Sequence, residues 1–174
     1  MAQSVRMEKT LKVLNKLVGV GVIDSYAIGG AVAAIYYIEP FDTADLDIFF
    51  SVTTQESIVL LTPIYDHLKQ LGYHPRGEFV EIEDWPVQFL PAYNPLTEEA
   101  LARAQQIKFG RTPTRVMRAE HLVAIMLDTG RPKDMARISM FIEQSAFDVD
   151  ALLDILKRHR LMAKWKDYRK RFES

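Results

Sequence analysis

The chain has 174 residues, 48% of them hydrophobic, and carries 22 Lys and Arg against 23 Asp and Glu, for a formal net charge of -1. That length supports one buried core, and the near-neutral balance excludes a global attraction to nucleic acid or membrane, so a polyanion has to be met by a local patch. With no cysteine, disulfides, thiolate zinc sites and cysteine nucleophiles are excluded. No run has signal-peptide character or transmembrane length, so a cytoplasmic protein with no membrane partner is expected.

In chain order, Met7, Leu11, Leu14 and Val18 repeat at helical spacing and predict a first helix ended by Gly19 and Gly21. Tyr26-Ala27-Ile28 predicts a short buried strand, Gly29-Gly30 a turn, and residues 31–38 an apolar helix stopped at Glu39-Pro40. Residues 45–50 alternate acidic and apolar side chains before becoming wholly apolar, the pattern of a strand whose first end borders a site. Thr62 and Pro63 read as the cap and first residue of a helix with Ile64, Leu68 and Leu71 on its apolar stripe. Phe79–Ile82 and residues 87–90 predict a hairpin with a four-residue connection, 83–86. Glu98-Glu99 open a further helix, Thr114 to Met117 form a last strand, and the chain from Glu120 onward reads as helices. The expected fold class is α/β (α+β): a small mixed β-sheet flanked by helices over residues 1–118, followed by a helical C-terminal part over 119–174, in one compact unit.

Side chains two apart on a strand share a face, so Asp45 and Asp47 present two carboxylates together. They are either solvated acids at a strand end or a site for a hard divalent cation, Mg²⁺ or Mn²⁺, that offsets their repulsion. Gly29-Gly30 is either a tight turn needing positive φ or a place where backbone N–H groups and a helix N-terminus approach phosphate oxygens. Strand, Gly-Gly, apolar helix, short loop and Asp-x-Asp strand in that order form a joint signal more specific than any of its parts.

That order resembles the nucleotidyltransferase superfamily, and within it AbiEii-like and related small bacterial proteins, over roughly residues 20 to 145. The resemblance implies that Gly29 and Gly30 hold the triphosphate of an NTP, that Asp45 and Asp47 bind Mg²⁺, and that Thr43, matching the threonine found two residues before the first acid, belongs with Arg131 and Lys133 to the nucleotide-binding residues. Arg131-Pro132-Lys133-Asp134 resembles an Arg-x-Lys-Asp element, which implies phosphate neutralisation by Arg131 and Lys133 and a catalytic set of Asp45, Asp47, Lys133 and Asp134. Locally, the same segment reads equally well as helix initiation, with Pro132 and Asp134 in the first turn. Four positions depart from the family's pattern: Phe41 replaces a loop arginine, Gln88 a third carboxylate that serves as metal ligand, Met126 a lysine and Arg137 an aspartate. A missing acid at Gln88 leaves Glu81 or Glu83 as substitutes.

The implied activity is Mg²⁺-dependent transfer of an NMP from an NTP to a hydroxyl acceptor. The basic segment Lys157, Arg158, Arg160, Lys164, Lys166, Arg169, Lys170 and Arg171 is either a solvated helix face with cations near a helix C-terminus or a local surface for nucleic-acid phosphates, and with a transferase site the second reading makes RNA such as tRNA the acceptor. The family likeness adds a toxin–antitoxin role with an antitoxin protein as partner. The alternative is a catalytically degenerate nucleotide-binding or protein-interaction module of the same fold. The four histidines have no metal-ligand spacing, and Tyr73, Trp85 and Tyr93 are open as base-stacking or packing residues.

Overall fold

The computed structural model describes residues 2–51 and 57–172. Seven strands form one mixed sheet: β1 (Ser25–Ile28), β2 (Leu46–Ser51), β3 (Pro75–Arg76), β4 (Phe79–Ile82), β5 (Trp85–Pro91), β6 (Gln105–Phe109) and β7 (Thr112–Val116). Their order across the sheet is β3-β4-β5-β2-β1-β7-β6. Among the described residues, eight helices surround it: α1 (Ala2–Gly19), α2 (Gly30–Ile35), α3 (Ser57–Gln70), α4 (Pro95–Ala102), α5 (Ala119–Thr129), α6 (Pro132–Glu143), α7 (Val149–Arg158) and α8 (Met162–Phe172). Among the described residues no helix is long and apolar enough to cross a membrane.

The alternation legible along residues 45–50 sets the two faces of the sheet. Leu46, Ile48 and Phe50 are buried on one face with Tyr26, Ile28, Val87 and Phe89, while Asp47 and Phe49 stand half-buried on the other. The first face meets α1, where Tyr26 Oη donates to Asn15 Oδ1 at 2.8 Å. Toward the second face lie α2, α4 and α5, and they leave a cavity against β2 and β5.

Several expectations change in the structure. A helix between successive strands is the usual connection of a parallel pair, but β1 and β2 are antiparallel, Ile28 facing Ile48; the parallel neighbours of the central pair are β7 and β5. The short loop after α2 reverses the chain instead of carrying it back to the same end of the sheet. Helix α3 begins before Thr62, and Pro63 lies inside it. Fully buried Ile64 and Leu68 hold that helix to the sheet, which offsets the one backbone bond Pro63 cannot donate, whereas Leu71 is exposed. The β4–β5 connection is two residues, Glu83 and Asp84, both with positive φ (53° and 67°), a geometry that matches strand twist and lets buried Trp85 pair with Ile82. Helix α4 opens at Pro95, ahead of Glu98, because Asn94 caps it by accepting from Thr97 N at 2.8 Å. The last strand is Thr112–Val116, paired with β6, whose polar sequence carries no strand signature.

Candidate functional site

The turn between β1 and α2 is built against β2. Gly29 N donates to the Asp47 carbonyl at 2.9 Å. A Cβ on Gly29 would press into the Phe49 ring, and one on Gly30, whose φ is +58°, would overlap Oδ2 of Asp47. Both glycines are therefore required by close approach, and the second also by its left-handed backbone. This puts the Asp47 carboxylate directly beside the start of α2.

On the other side of Asp47 runs β5, parallel and in register, so that Gln88 is the cross-strand partner of Asp47 and points to the same face. The Gln88 amide donates to Glu78 Oε2 at 3.1 Å. The substitutes expected for a third acid are engaged elsewhere: Glu81 is exposed and 3.9 Å from Arg76, and Glu83, in the turn, accepts from Tyr73 Oη at 2.6 Å. Neither lines the cavity.

Across the cavity, α5 ends at Thr129 with Gly130, in the left-handed region, as its cap, and α6 starts at Pro132 after the single residue Arg131. Asp134 is 1% exposed and lies in the first turn of α6. Arg131 Nε and Nη2 donate to its two carboxylate oxygens at 2.6 and 3.2 Å, and Arg137 Nη1 stands 3.7 Å from Oδ1. Asp134 is thus an anchor for two guanidinium groups, itself turned away from solvent. Lys133 is exposed beside it, and its charge reaches Asp47 without its side chain lining the cavity.

Gly30, Asp47, Gln88, Arg131, Asp134 and Arg137 line one cavity of about 350 Å³, whose remaining wall is largely apolar, from Phe49, Leu90, Leu96, Met117, Leu122 and Met126. Tyr93, 75% exposed, stands at this cavity; Trp85 is buried in the core and Tyr73 is tied to Glu83. Asp45 precedes β2, half-buried, close enough for its charge to act on Asp47. Thr43 Oγ1 donates to the Asp45 carbonyl at 3.4 Å, which orders the loop leading into β2. Burial, and then the Asp45 charge, push the Asp47 carboxyl up to about 6, against the pull of Arg131, Lys133 and Arg137.

Two carboxylates that repel one another suit one hard divalent cation, with the Gln88 amide oxygen as an uncharged neighbour. Among the described residues no group of three or more His, Cys, Asp or Glu side chains is arranged to hold an ion. Asp45, which does not itself line the cavity, and Asp47 are the two acids available there to a cation, and among the described residues no third acid is grouped with them.

Arg137 and Met126 line the cavity although the sequence marked them only as departures, and Arg137 is the charged one. Its signal was present, since 131, 134 and 137 recur at intervals of three and so share one side of a helix start. A second departure meets it here, because Arg137 Cζ lies 5.1 Å from the centroid of the Phe41 ring. Met126 lines the cavity as an apolar side chain.

The histidines are structural in part: buried His121 and His159 both direct Nε2 to Glu99, at 3.0 and 2.8 Å, in an ion cluster with Arg158 that ties α4 to α5 and α7. The basic C-terminal segment is partly neutralised within the fold, Arg158 by Glu99 and Asp154, Lys164 by Asp128 and Arg171 by Asp167.

No family model and no curated protein matches the chain. Solved structures do. The antibiotic-resistance factor ANT(2″)-Ia is similar to it in a solution structure (TM-score 0.56, 15% identity, over 97% of this chain and 96% of that one). So is the crystal structure of ANT(2″)-Ia in complex with adenylyl-2″-tobramycin (TM-score 0.53, 16% identity, 99% of each chain). An antigenic nucleotidyltransferase-like protein from Paracoccidioides brasiliensis gives a TM-score of 0.59 at 15% identity over 90% of each chain. Identities this low carry the architecture alone: a mixed seven-stranded sheet with flanking helices and a helical C-terminal part, the nucleotidyltransferase-like fold.

Proposed function

We propose that the protein transfers a nucleoside monophosphate from an NTP to a hydroxyl acceptor, with pyrophosphate leaving. The observation that carries this reading is the single cavity in which Asp47, packed on Gly30, faces Gln88 and the Arg131–Asp134–Arg137 group. In this reading the backbone at Gly29 and Gly30 receives the triphosphate, Arg131 and Lys133 neutralise it, and Asp134 fixes the Arg131 fork. A Mg²⁺ or Mn²⁺ ion held by Asp45 and Asp47 would supply charge neutralisation at the phosphates. The acceptor hydroxyl attacks the α-phosphorus in line, and the bond to the β-phosphate oxygen breaks. Gln88 is no base, so the hydroxyl proton passes to water. Thr43 acts by holding the loop that presents Asp45.

The acceptor we favour is RNA such as tRNA. Supporting this, a second cavity, lined by Arg160 and by Arg158 and His159 held on Glu99, shares Asn94, Leu96 and Asp128 with the first, so the start of the basic segment borders the site. Membership of a toxin–antitoxin pair, with an antitoxin protein as partner, rests only on the AbiEii-like motif residues and depends on the same acceptor. Incubation with each α-labelled NTP, Mg²⁺, and either total RNA or small hydroxyl compounds tests the reading. Label on RNA that disappears with Asp45→Asn, Asp47→Asn supports it; no transfer to any acceptor contradicts it.

Gln88 favours a second reading, a nucleotide-binding module without turnover. A carboxamide facing Asp47 leaves nucleotide affinity intact while removing charge from the reacting centre. Nucleotide binding without label transfer is the outcome that selects it.

A further inference from the structure

We infer that Arg137 is a direct ligand of the polyphosphate chain, supplying in the cavity positive charge that lets this site hold a triphosphate even without a divalent cation. The inference rests on the nucleotide-binding reading of the site and adds to it a residue and a metal response.

Three carboxylates, Asp45, Asp47 and Asp134, stand at or beside the cavity with three cations, Arg131, Lys133 and Arg137. The cations are not equivalent. Arg131 is committed to both oxygens of Asp134 through Nε and Nη2. Lys133 is exposed on the outer side of α6. Arg137 is different in kind: its side chain is 18% exposed, it lines the cavity, and its polar partner among the described residues is Asp134, at 3.7 Å, beyond hydrogen-bond length. A guanidinium has five N–H donors, so nearly the whole set stays available to a ligand.

The group is also partly fixed in direction. The Phe41 ring lies under Cζ at 5.1 Å and the Asp134 charge attracts one edge from 3.7 Å, so part of the side-chain freedom is already lost before binding. A planar fork held in this way, facing a cavity that also contains a glycine turn, suits a phosphate oxygen pair better than a hydrated point charge does. Its field already acts on Asp47 at the opposite wall. With no group of three acids for a second ion among the described residues, this guanidinium adds to the charge of Arg131 and Lys133 there.

The test is calorimetric titration of ATP and of inorganic tripolyphosphate into the full chain, once with Mg²⁺ and once with EDTA, for wild type, Arg137→Gln and Arg137→Lys, with melting temperature as the check on folding. Wild type is expected to bind both probes in EDTA, more weakly than with Mg²⁺. Arg137→Gln should lose roughly ten- to a hundredfold in EDTA, as expected for charged hydrogen bonds, and distinctly less with Mg²⁺. Arg137→Lys should recover part of the loss. A purely structural role would weaken both conditions equally, and that result overturns the inference. So does wild-type binding with Mg²⁺ that vanishes in EDTA, or Arg137→Gln binding that matches wild type; both leave the nucleotide site standing. Absence of wild-type binding with Mg²⁺ overturns the nucleotide site and this inference together.

Discussion

The Cβ that Gly30 lacks would lie in steric overlap with Oδ2 of Asp47. The turn expected to receive phosphate and the acid expected to hold a cation are one packed unit, so neither can be altered without moving the other. Gly30→Ala adds both this overlap and a Cβ at φ +58°, and should cost about 1–3 kcal/mol in urea unfolding. Asp47→Ala removes the overlapping atoms, so the double variant Gly30→Ala, Asp47→Ala should recover part of the loss. Strictly additive losses would show that the two residues are not coupled.

Asp134 should matter to stability more than an ordinary acid in a first helical turn. It is buried with two arginines directed at it, and Asp134→Ala leaves both without their anchor. Because Arg131 is half exposed, the expected loss is about 2 kcal/mol, below that of a fully enclosed pair. A change under about 0.5 kcal/mol, the range of neutral surface substitutions, would remove Asp134 from its anchoring role.

Acid sensitivity should concentrate at Glu99. Hydrogen bonds from Arg158 first, then from His121 and His159, hold its carboxyl well below the ordinary value of 4.5 against the opposing effect of burial. A depressed carboxyl contributes stability that is present above the unfolded value and lost as pH falls below about 4.5. Burial lowers the His121 pKa from 6.5, so its contribution also falls as pH drops below that value. Glu99→Gln should lower stability at pH 7 and flatten the acid limb of the stability curve. An acid limb identical to wild type would exclude Glu99 as its source.

Gln88→Asp places a third carboxylate beside Asp47 on the neighbouring strand. Without divalent ions it should melt below wild type, because like charges then meet in a half-buried site. With Mg²⁺ or Mn²⁺ it should gain more in melting temperature than wild type gains, through tighter ion binding. A lower melting temperature with no added response to the ions would show that Gln88 does not face the ion position.

Much of this site could be read before the structure. The period of two along residues 45–50 assigned Asp45 and Asp47 to one face; in the structure Asp47 stands opposite buried Leu46 and Ile48, while Asp45 precedes the strand. The Gly-Gly turn was located because apolar runs bracket it. Gln88 was aligned with the acid strand from its place in the hairpin, and the register matches it directly with Asp47. What could not be read depends on contacts distant in sequence. Strand direction around α2 follows from the loop at 39–45 and the partners on either side, and β6 is held by β7 with little apolar signal of its own. The joining of Phe41 to Arg137, 96 positions apart, exists only after α6 packs across the cavity.

The central claim, that a nucleotide and a divalent cation share the site at Gly30 and Asp47, is tested most directly by thermal unfolding with each NTP, with and without Mg²⁺, in wild type and in the Asp45→Asn, Asp47→Asn variant. For wild type, one NTP at about a hundred times its dissociation constant should add roughly 2.7 kcal/mol with Mg²⁺, and less without it. The variant should lose the part that depends on Mg²⁺ while still folding, because burial already disfavours the charge on Asp47. An equal Mg²⁺-dependent stabilisation in the variant would contradict the claim.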